Sequence, residues 1–380
     1  MSNHYKRAVL EEFHRKLLPN KVLILLGARR VGKTDFIKNY LKIIPKQDYL
    51  QLNGEDIDDS NLLKERSVTN YGRLLANVKL LVIDEAQNIS DIGMILKLIV
   101  DSIEGIKIIA TGSSVFDLSN KLGEPLVGRK NTIYLFPLAQ MEFSEFENYK
   151  ETTLKLEERL IFGSYPELEK YTNWSDKVSY LKEIINSYLL KDILIFDGIK
   201  QSDKILDLLK LIAFQVGQEV SLQELARQLG ISKNTVESYL DLLSKVFVIY
   251  KVPGFSRNLR KEVTKSNRWY FCDNGIRNGI IGNFTRLETR TDVGALWENY
   301  LASERVKYQN YLKKTLTNYF WRTYDQQELD WLEEENGKLS SFEFKWNENR
   351  KAKIPTAFAK AYPEASFEVI NKQNYLEFIT

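Results

Sequence analysis

The stretch VLILLGARRVGKT, residues 22–34, decides the fold of the first part of this chain. From Gly27 to Thr34 it matches G-x-x-x-x-G-K-[ST] without deviation. An apolar run at 22–26 precedes the match, and a helix-compatible stretch at 35–43 follows it. The pattern therefore predicts a buried strand, a tight turn and a helix, which is the setting of a phosphate-binding loop. A chance match in a glycine-containing turn is the alternative, and it leaves the flanking strand and helix unexplained.

The residue types of this loop suit a nucleotide triphosphate, and ATP with Mg²⁺ is the expected ligand. Glycine lets the backbone turn so that several N–H groups face one anion, and the helix adds the positive end of its dipole. We expect Lys33 to reach the β- and γ-phosphates and the Thr34 hydroxyl to join the Mg²⁺ shell. The expected nucleotide contacts are Gly27, Ala28, Arg29, Arg30, Val31, Gly32, Lys33, Thr34 and Asp35.

A second apolar run, residues 79–83, ends in the adjacent carboxylates of Asp84 and Glu85. A buried parallel strand would deliver them to the carboxyl edge of a sheet, where ligands of such folds bind. We expect Asp84 to hold Mg²⁺ with Thr34, and Glu85 to orient and deprotonate the attacking water. A solvated turn is the alternative for such a strand end, and the loop at Gly27 favours the functional interpretation.

A third run, residues 106–110, ends in Thr111, Gly112, Ser113 and Ser114. Hydroxyl groups at that edge can sense a γ-phosphate or the attacking water, and Thr111 is the preferred candidate. A helix N-cap formed by Ser113 or Ser114 is the alternative, and the sequence leaves both open.

The first 135 residues alternate short apolar runs with helix-compatible segments, which predicts βαβ units and a buried parallel sheet. The predicted strands are Lys21–Leu26, Tyr49–Asn53, Leu80–Asp84, 107–111 and 132–136.

A set of motifs in this chain resembles the motifs of one family of bacterial and archaeal AAA-type ATPases. These are GARRVGKT, LLVIDEAQ, IIATGSS, LVGR, FPLAQMEF, FGSYPEL, SYLLKDI, WYFCDNGIR and ALWENYL, and they extend over nearly the whole chain. The resemblance implies an AAA-like P-loop domain with a helical lid. It also implies that Arg129, the arginine of LVGR, contacts a γ-phosphate in cis or from a neighbouring subunit. A surface arginine near a strand start is the alternative.

Composition sets the remaining limits on function. A net charge of +3 over 380 residues neither requires nor excludes nucleic acid. One cysteine (Cys272) and two histidines leave no zinc-type site, so a hard cation held by oxygen is the expected metal. The apolar runs are far shorter than the roughly 20 residues that span a bilayer. We therefore expect a cytoplasmic protein that does not enter a membrane.

The middle of the chain, residues 221–236, has the spacing of a helix, a tight turn at Gly230 and a second helix. Ser221 and Glu224 are expected to form a capping box, and Ser232 to cap the second helix. With a following strand at 246–252, the pattern resembles a winged helix. The exposed face of its second helix carries two acids and one lysine, which is unfavourable for DNA. A nearby segment is more basic than this face, with Lys251, Arg257, Arg260, Lys261, Lys265 and Arg268.

The C-terminal part combines an acid on a predicted helix, Glu298, with Asp330 and the E-x-K pattern of Glu343 and Lys345. This resembles the PD-(D/E)XK restriction-endonuclease-like fold, which the family resemblance also implies for the C-terminal part. The chemistry implied is Mg²⁺ held by Asp330 and Glu343, with Lys345 activating water. An amphipathic edge strand is the alternative, because alternation places Glu343 and Lys345 on one face and Phe344 on the other.

The sequence thus predicts an α/β protein with three domains. Residues 1–200 form the P-loop ATPase domain with its helical lid, 201–284 a winged helix, and 285–380 a restriction-endonuclease-like α/β domain. The expected activity is ATP hydrolysis, with a link to DNA. The alternatives are a slow nucleotide-gated switch or scaffold and an active ATP-regulated nuclease. The sequence leaves open a protein partner or a homo-oligomer.

Overall fold

The architecture comes from a computed structural model, which describes residues 5–113, 126–189, 202–256, 267–323, 325–350 and 352–380. The chain divides into two compact units, Met1–Leu138 and Ala139–Thr380. Each unit is described by itself. Among the described residues, no helix has both the length and the apolar composition needed to cross a bilayer.

The first unit is built on a five-stranded parallel sheet in the order β2-β3-β4-β1-β5. Its strands are β1 (Lys21–Leu26), β2 (Tyr49–Asn53), β3 (Leu80–Asp84), β4 (Lys107–Gly112) and β5 (Lys130–Tyr134). This confirms the predicted parallel sheet. The first three strands have the predicted bounds, whereas β5 begins two residues before the predicted 132.

Among the described residues of the first unit, five α-helices accompany this sheet. In the fifth helix, Ile92, Ile95, Leu96 and Ile99 are all buried, and they repeat at the three- and four-residue spacing of one helix face. The helices are α1 (Leu10–Lys16), α2 (Lys33–Leu41), α3 (Ile57–Lys64), α4 (Val68–Leu74) and α5 (Ile92–Ser102).

The second unit begins with helices that the sequence analysis placed in the first domain as a lid. They are α6 (Gln140–Phe143), α7 (Tyr149–Phe162) and α8 (Trp174–Glu183), followed by a π-helix at Ile184–Leu189. The structure groups them differently, because α7 packs on a later helix, α12 (Asn274–Ile281). The Asn278 side-chain amide donates to the carbonyl oxygens of Leu160 and Ile161 at 3.1 and 2.8 Å. These buried hydrogen bonds attach the helical segment to the second unit.

The middle of the second unit has the element order helix, strand, helix, helix, strand, strand. The elements are α9 (Ser202–Phe214), β6 (Glu219–Val220), α10 (Leu222–Leu229), α11 (Lys233–Lys245), β7 (Ile249–Pro253) and β8 (Asn267–Phe271). The strands form an antiparallel sheet in the order β6-β8-β7. This order is compatible with the winged helix, which stays a prediction.

The predicted helix caps of this region are present, with one difference. The Ser221 and Ser232 hydroxyls accept from the backbone N–H groups three residues on, at 3.3 and 3.1 Å. The Glu224 carboxylate, expected to complete a capping box, instead accepts from the Gln228 side-chain amide at 3.3 Å. It does so because Gln228 lies one turn further along the same helix face.

The C-terminal part packs the long helix α13 (Val293–Tyr311) with a four-stranded sheet in the order β12-β11-β10-β9. Phe255, Trp321, Leu329 and Phe358 belong to the hydrophobic core of this region. Its elements are β9 (Thr317–Arg322), β10 (Glu328–Glu335), β11 (Lys338–Phe344), α14 (Thr356–Ala361), β12 (Ser366–Ile370) and α15 (Tyr375–Ile379). Strand β11 runs antiparallel to β10 and parallel to β12.

The turn between α10 and α11 gives a clean test of backbone strain. Gly230 ends α10 in the left-handed conformation (φ 66°), and no described atom lies within 4 Å of the position that a Cβ would take. We expect Gly230→Ala to lower the free energy of unfolding by about 1 kcal/mol, and Gly230→Asn by less. Urea denaturation of the purified variants measures both.

The matched control is Gly294→Ala in the first turn of α13, where added side-chain atoms also meet open space and φ is not positive. This variant is expected to be neutral or slightly stabilising, because alanine favours a helix. Equal destabilisation at both positions would contradict the assignment of the Gly230 cost to its φ angle.

Candidate functional site

The predicted phosphate-binding loop lies between β1 and α2, at the carboxyl edge of the parallel sheet. Arg30 and Gly32 both adopt left-handed backbone conformations (φ 66° and 95°), and Gly32 is the N-cap of α2. A Cβ added at Gly27 would collide with the backbone carbonyl oxygen of Leu135, directly after β5. The loop therefore needs glycine at 27 for a close backbone approach and at 32 for its turn.

Lys33 extends back across the loop. Its ammonium group donates to the carbonyl oxygens of Gly27 and Ala28 at 2.8 and 3.1 Å, and the residue is only 5% exposed. A cation held over the start of the loop is suitably placed for an anion that the loop enfolds. The other residues predicted to contact the nucleotide have different surroundings. Val31 is fully buried, the Arg29 guanidinium lies 3.9 Å from the Glu55 carboxylate, and the Asp35 carboxylate accepts from Asn39 further along α2.

The Asp84 carboxylate joins the loop to the neighbouring strands. The Thr34 hydroxyl donates to Asp84 Oδ2 at 2.8 Å, and the Thr111 hydroxyl donates to Asp84 Oδ1. Thr111 Oγ1 also accepts from the Glu85 backbone N–H at 3.0 Å. The structure therefore brings together four predicted site residues, Thr34, Asp84, Glu85 and Thr111. A hydroxyl beside a carboxylate is an oxygen donor set that suits Mg²⁺ completed by water and phosphate oxygens.

Glu85 is held by two residues that the sequence analysis did not assign. The Gln87 side-chain amide donates to Glu85 Oε2 at 2.5 Å and to Ser113 Oγ at 3.3 Å. Glu85 has φ 49°, and a Cβ at Gly54 would collide with its carbonyl oxygen. Gly54 thus allows the chain after β2 to pack against the left-handed turn at Glu85. Gln87 was visible in the sequence as part of LLVIDEAQ, whereas Gly54 carried no local signal.

Arg129 does not join this group. It precedes β5, its backbone carbonyl accepts from Val22 N at the start of β1, and its guanidinium pairs with Asp101 at 2.6 Å. The phosphate-binding loop follows the other end of β1, so a contact from Arg129 to a γ-phosphate bound in the same chain is not supported. Its role across an interface stays a prediction. Ser114, the other candidate cap, lies outside the described residues.

The second predicted site also assembles. Glu298 on α13, Asp330 on β10 and Glu343 at the end of β11 meet within the C-terminal part, with Lys345 directly after the strand. Lys345 Nζ lies 2.5 Å from Glu343 Oε1, and Asp330 Oδ2 accepts from the Phe344 N–H at 2.9 Å. Phe344 is buried on the opposite face of β11 from Glu343, as the alternation predicted.

An arginine from β8 enters this carboxylate cluster. Arg268, whose side chain is 4% exposed, places its guanidinium 3.0 Å from Glu328, 3.5 Å from Glu298 and 3.7 Å from Asp330. The sequence analysis counted Arg268 with a basic surface segment, and the structure corrects this: it is buried among acids. Lys251 of that segment is exposed on β7, and the other four basic residues lie outside the described residues.

The protonation state of the cluster follows from its burial. Burial, reinforced by the nearby Asp330 carboxylate, raises the pKa of Glu298 to about 8, and the Tyr270 hydroxyl donates to it at 2.8 Å. Burial likewise raises the pKa values of Asp330 and Glu343. Of the three acids, Glu298 is the one that the shift favours in its protonated form at neutral pH. Among the described residues, no group of three or more acidic, histidine or cysteine side chains has a metal-binding arrangement.

Family comparisons divide the chain into three matched ranges. Residues 19–144 match a family model described as an AAA domain, which supports an AAA-type P-loop ATPase family, and the five-stranded parallel sheet fits it. Residues 153–287 and 293–378 match models described as domains of unknown function, DUF8612 and DUF4143. The predicted domain borders at 200 and 284 stay predictions.

Similar proteins exist in archaea and bacteria. An uncharacterized protein of Methanocaldococcus jannaschii is 26% identical, and the match covers 94% of this chain and 82% of that protein. An uncharacterized protein of Mycobacterium tuberculosis is also 26% identical, with 90% of this chain and 74% of that protein covered. Among solved structures, Drosophila ORC bound to DNA matches with a TM-score of 0.26 and 12% identity, over 71% of this chain and 91% of that chain. A TM-score this low supports no inference about fold or function.

The buried charges around Arg268 make its removal costly. We expect Arg268→Met to lower the free energy of unfolding by about 3–5 kcal/mol, because it leaves buried carboxylates without their cation. Adding Glu298→Gln should recover part of the loss by removing one of those charges. Urea denaturation at pH 8 measures all three proteins.

Arg322→Met is the matched control. The Arg322 side chain is 33% exposed and lies 3.8 Å from Glu219 and 3.9 Å from Glu328, so its loss should cost at most about 1 kcal/mol. Equal costs at positions 268 and 322 would contradict the account of a buried, arginine-compensated cluster.

Proposed function

We propose that this chain binds ATP at the loop of residues 27–34 and hydrolyses it with Mg²⁺. The single observation that supports this best is the set of hydrogen bonds that links Thr34, Asp84, Thr111 and Glu85. They join the phosphate-binding loop to the ends of β3 and β4, where the γ-phosphate of a loop-bound nucleotide would face the acidic residues. An AAA-domain match over the same residues agrees with this proposal.

Binding and positioning fall to the loop and to Lys33. The N–H groups at the start of α2 and the Lys33 ammonium would enclose the β- and γ-phosphates and hold the γ-phosphate in one orientation. The bound Mg²⁺ would neutralise charge that develops between the β- and γ-phosphates. Thr34 and Asp84 would hold it, because they already place a hydroxyl and a carboxylate oxygen 2.8 Å apart.

Glu85 would act on the attacking water. Its carboxylate accepts a hydrogen bond from water, aligns the water oxygen with the γ-phosphorus and takes a proton as the new P–O bond forms. Gln87 and Thr111 fix the Glu85 side chain and backbone, respectively. This arrangement favours Glu85 as the base and gives Thr111 a positioning role in place of direct phosphate sensing.

Steady-state phosphate release tests the activity. Wild-type protein with ATP and Mg²⁺ should turn over, and Lys33→Ala should abolish both nucleotide binding and turnover. Glu85→Gln should retain ATP binding but lose at least about 100-fold in kcat, since a general base is worth that much or more. For both variants, the Kd for ATP is measured together with the rate of phosphate release.

The matched control is Lys38→Ala, which removes an exposed lysine from the same helix as Lys33. It should behave as wild type. If wild-type protein binds ATP tightly but releases phosphate no faster than Glu85→Gln, the chain is a nucleotide-gated switch and hydrolysis is excluded.

A link to DNA has weaker physical support than ATP hydrolysis, because the predicted winged helix does not offer a basic recognition helix. The face of α11 predicted to read DNA is exposed, and it carries Lys233 against Glu237 and Asp241. Lys245 pairs with Asp241 on the same face at 2.6 Å, so the face has no net positive charge to attract phosphates, and we infer that α11 does not enter a DNA groove. Duplex DNA added to the ATPase assay tests whether ATP turnover is linked to DNA. Stimulation of phosphate release by DNA would establish the link.

For the C-terminal part we propose a scaffold without DNA-cleaving activity. The supporting observation is the buried Arg268 guanidinium beside Glu298 and Asp330, whereas the contact between Lys345 and Glu343 fits both the scaffold and the nuclease. Carboxylates already compensated in this way have little remaining attraction for a divalent ion. The cluster then stabilises the junction between β8, α13 and β10.

A plasmid-nicking assay tests the scaffold against the nuclease. With Mg²⁺ or Mn²⁺, the wild-type protein should nick supercoiled DNA no faster than Glu343→Ala or Lys345→Ala. If the wild type nicks DNA and both variants lose this activity while still binding ATP, the C-terminal part is a nuclease and the scaffold proposal fails.

A further inference from the structure

Arg7, in the segment before α1, contacts the phosphate-binding loop from outside it. The residue is 6% exposed. Its Nη1 donates to the carbonyl oxygen of Val31 at 2.8 Å, and its Nη2 donates to that of Phe136 at 2.6 Å. These acceptors lie 24 and 129 positions along the chain, so one guanidinium joins three distant segments.

The first acceptor belongs to the loop itself. Val31 lies between Arg30 and Gly32, both in left-handed backbone conformations. Such a turn directs some peptide groups toward the ligand and leaves carbonyl groups pointing into the protein. A buried carbonyl needs a donor, and Arg7 supplies it for Val31. The guanidinium therefore fixes the peptide that precedes Gly32 and Lys33.

The second acceptor lies against the opposite end of the loop. Phe136 follows Leu135, whose N–H donates to Leu26 at 2.7 Å and whose carbonyl oxygen limits position 27 to glycine. Arg7 thus spans from Val31, near the end of the loop, to the chain that packs against Gly27 at its start. A planar guanidinium is suited to this because its donors hold a fixed geometry.

Anchoring of α1 does not account for these contacts. Phe13 of α1 is fully buried against Phe36 and Tyr40, with ring centroids 5.0 and 4.9 Å away. The Lys16 ammonium donates to the Thr132 carbonyl oxygen at 2.8 Å. Because α1 is attached by its own side chains, its attachment does not depend on the Arg7 guanidinium.

We propose that Arg7 is a positioning residue that holds the phosphate-binding loop in its nucleotide-binding conformation before the nucleotide arrives. This proposal rests on the proposed ATP-binding function of the loop. A preorganised loop loses less freedom on binding, so Arg7 strengthens binding of the substrate and of the transition state equally. It then lowers KM and leaves kcat unchanged.

The test compares Arg7→Met and Arg7→Lys with Arg15→Met, a control in α1 whose side chain is 66% exposed. For Arg7→Met we expect the Kd and KM for ATP to rise about tenfold, with kcat unchanged, because one hydrogen bond to a charged group is worth about that factor. Arg7→Lys keeps one ammonium donor, so its Kd and KM for ATP should lie between those of wild type and Arg7→Met. Arg15→Met should match wild type.

Amide hydrogen exchange of residues 28–33 in nucleotide-free protein is the second measurement. It should be faster in Arg7→Met and unchanged in Arg15→Met, whether or not ATP is hydrolysed. A folded Arg7→Met variant with wild-type KM and wild-type exchange would overturn the proposal. So would a lower kcat at constant KM, which indicates only a smaller folded fraction. If wild-type protein does not bind ATP, the proposed function fails, and the exchange data alone decide the role of Arg7.

Discussion

The order of strands in the first unit is the constraint on which the candidate ATP site depends. Because β4 lies between β1 and β3, the strand ends that carry the loop and Asp84 are two strand spacings apart, roughly 10 Å. The structure closes this distance from both sides. The first turn of α2 brings the Thr34 hydroxyl to Asp84, and Thr111 at the end of β4 contacts Asp84 and Glu85. With β4 between them, Thr111 is the residue that contacts both Asp84 and Glu85 from the intervening strand.

The loop is held by backbone interactions more than by its own sequence. Lys33 donates to carbonyl oxygens at the start of the loop, and Arg7 donates to one near its end. The close approach of Gly27 to Leu135 fixes the loop against the chain after β5. The contacts from Lys33 and Arg7 occupy the carbonyl oxygens of Gly27, Ala28 and Val31. The N–H groups at the start of α2 are thereby available to a phosphate, whose charge they and the helix dipole favour.

Local patterns in the sequence predicted the first strands of the sheet and the residues at its carboxyl edge. Apolar runs placed β1, β2 and β3 to the residue, and the motif placed Lys33, Thr34, Asp84 and Glu85 at one edge of the sheet. Contacts between distant segments could not be predicted in this way. Nothing near Arg7 in the sequence indicates Val31 or Phe136 as its acceptors, and Gly54 has no local signature. The hydrogen bonds from Asn278 to the Leu160 and Ile161 carbonyl oxygens had no local signal either, because more than a hundred residues separate the partners.

The two carboxylate centres of the chain show why residue type alone does not define a metal site. Asp84 receives its hydrogen bonds from two neutral hydroxyls, which stabilise the carboxylate without cancelling its charge. Asp330 and Glu343 have Arg268 and Lys345 as neighbours, and the raised pKa of Glu298 favours a proton on the third acid. Burial of several like charges is unfavourable unless cations or protons compensate them. At the first centre the proposed Mg²⁺ would provide the compensation, and at the second the protein itself provides it. The same residue types are therefore proposed to support nucleotide chemistry in one part of the chain and stability in the other.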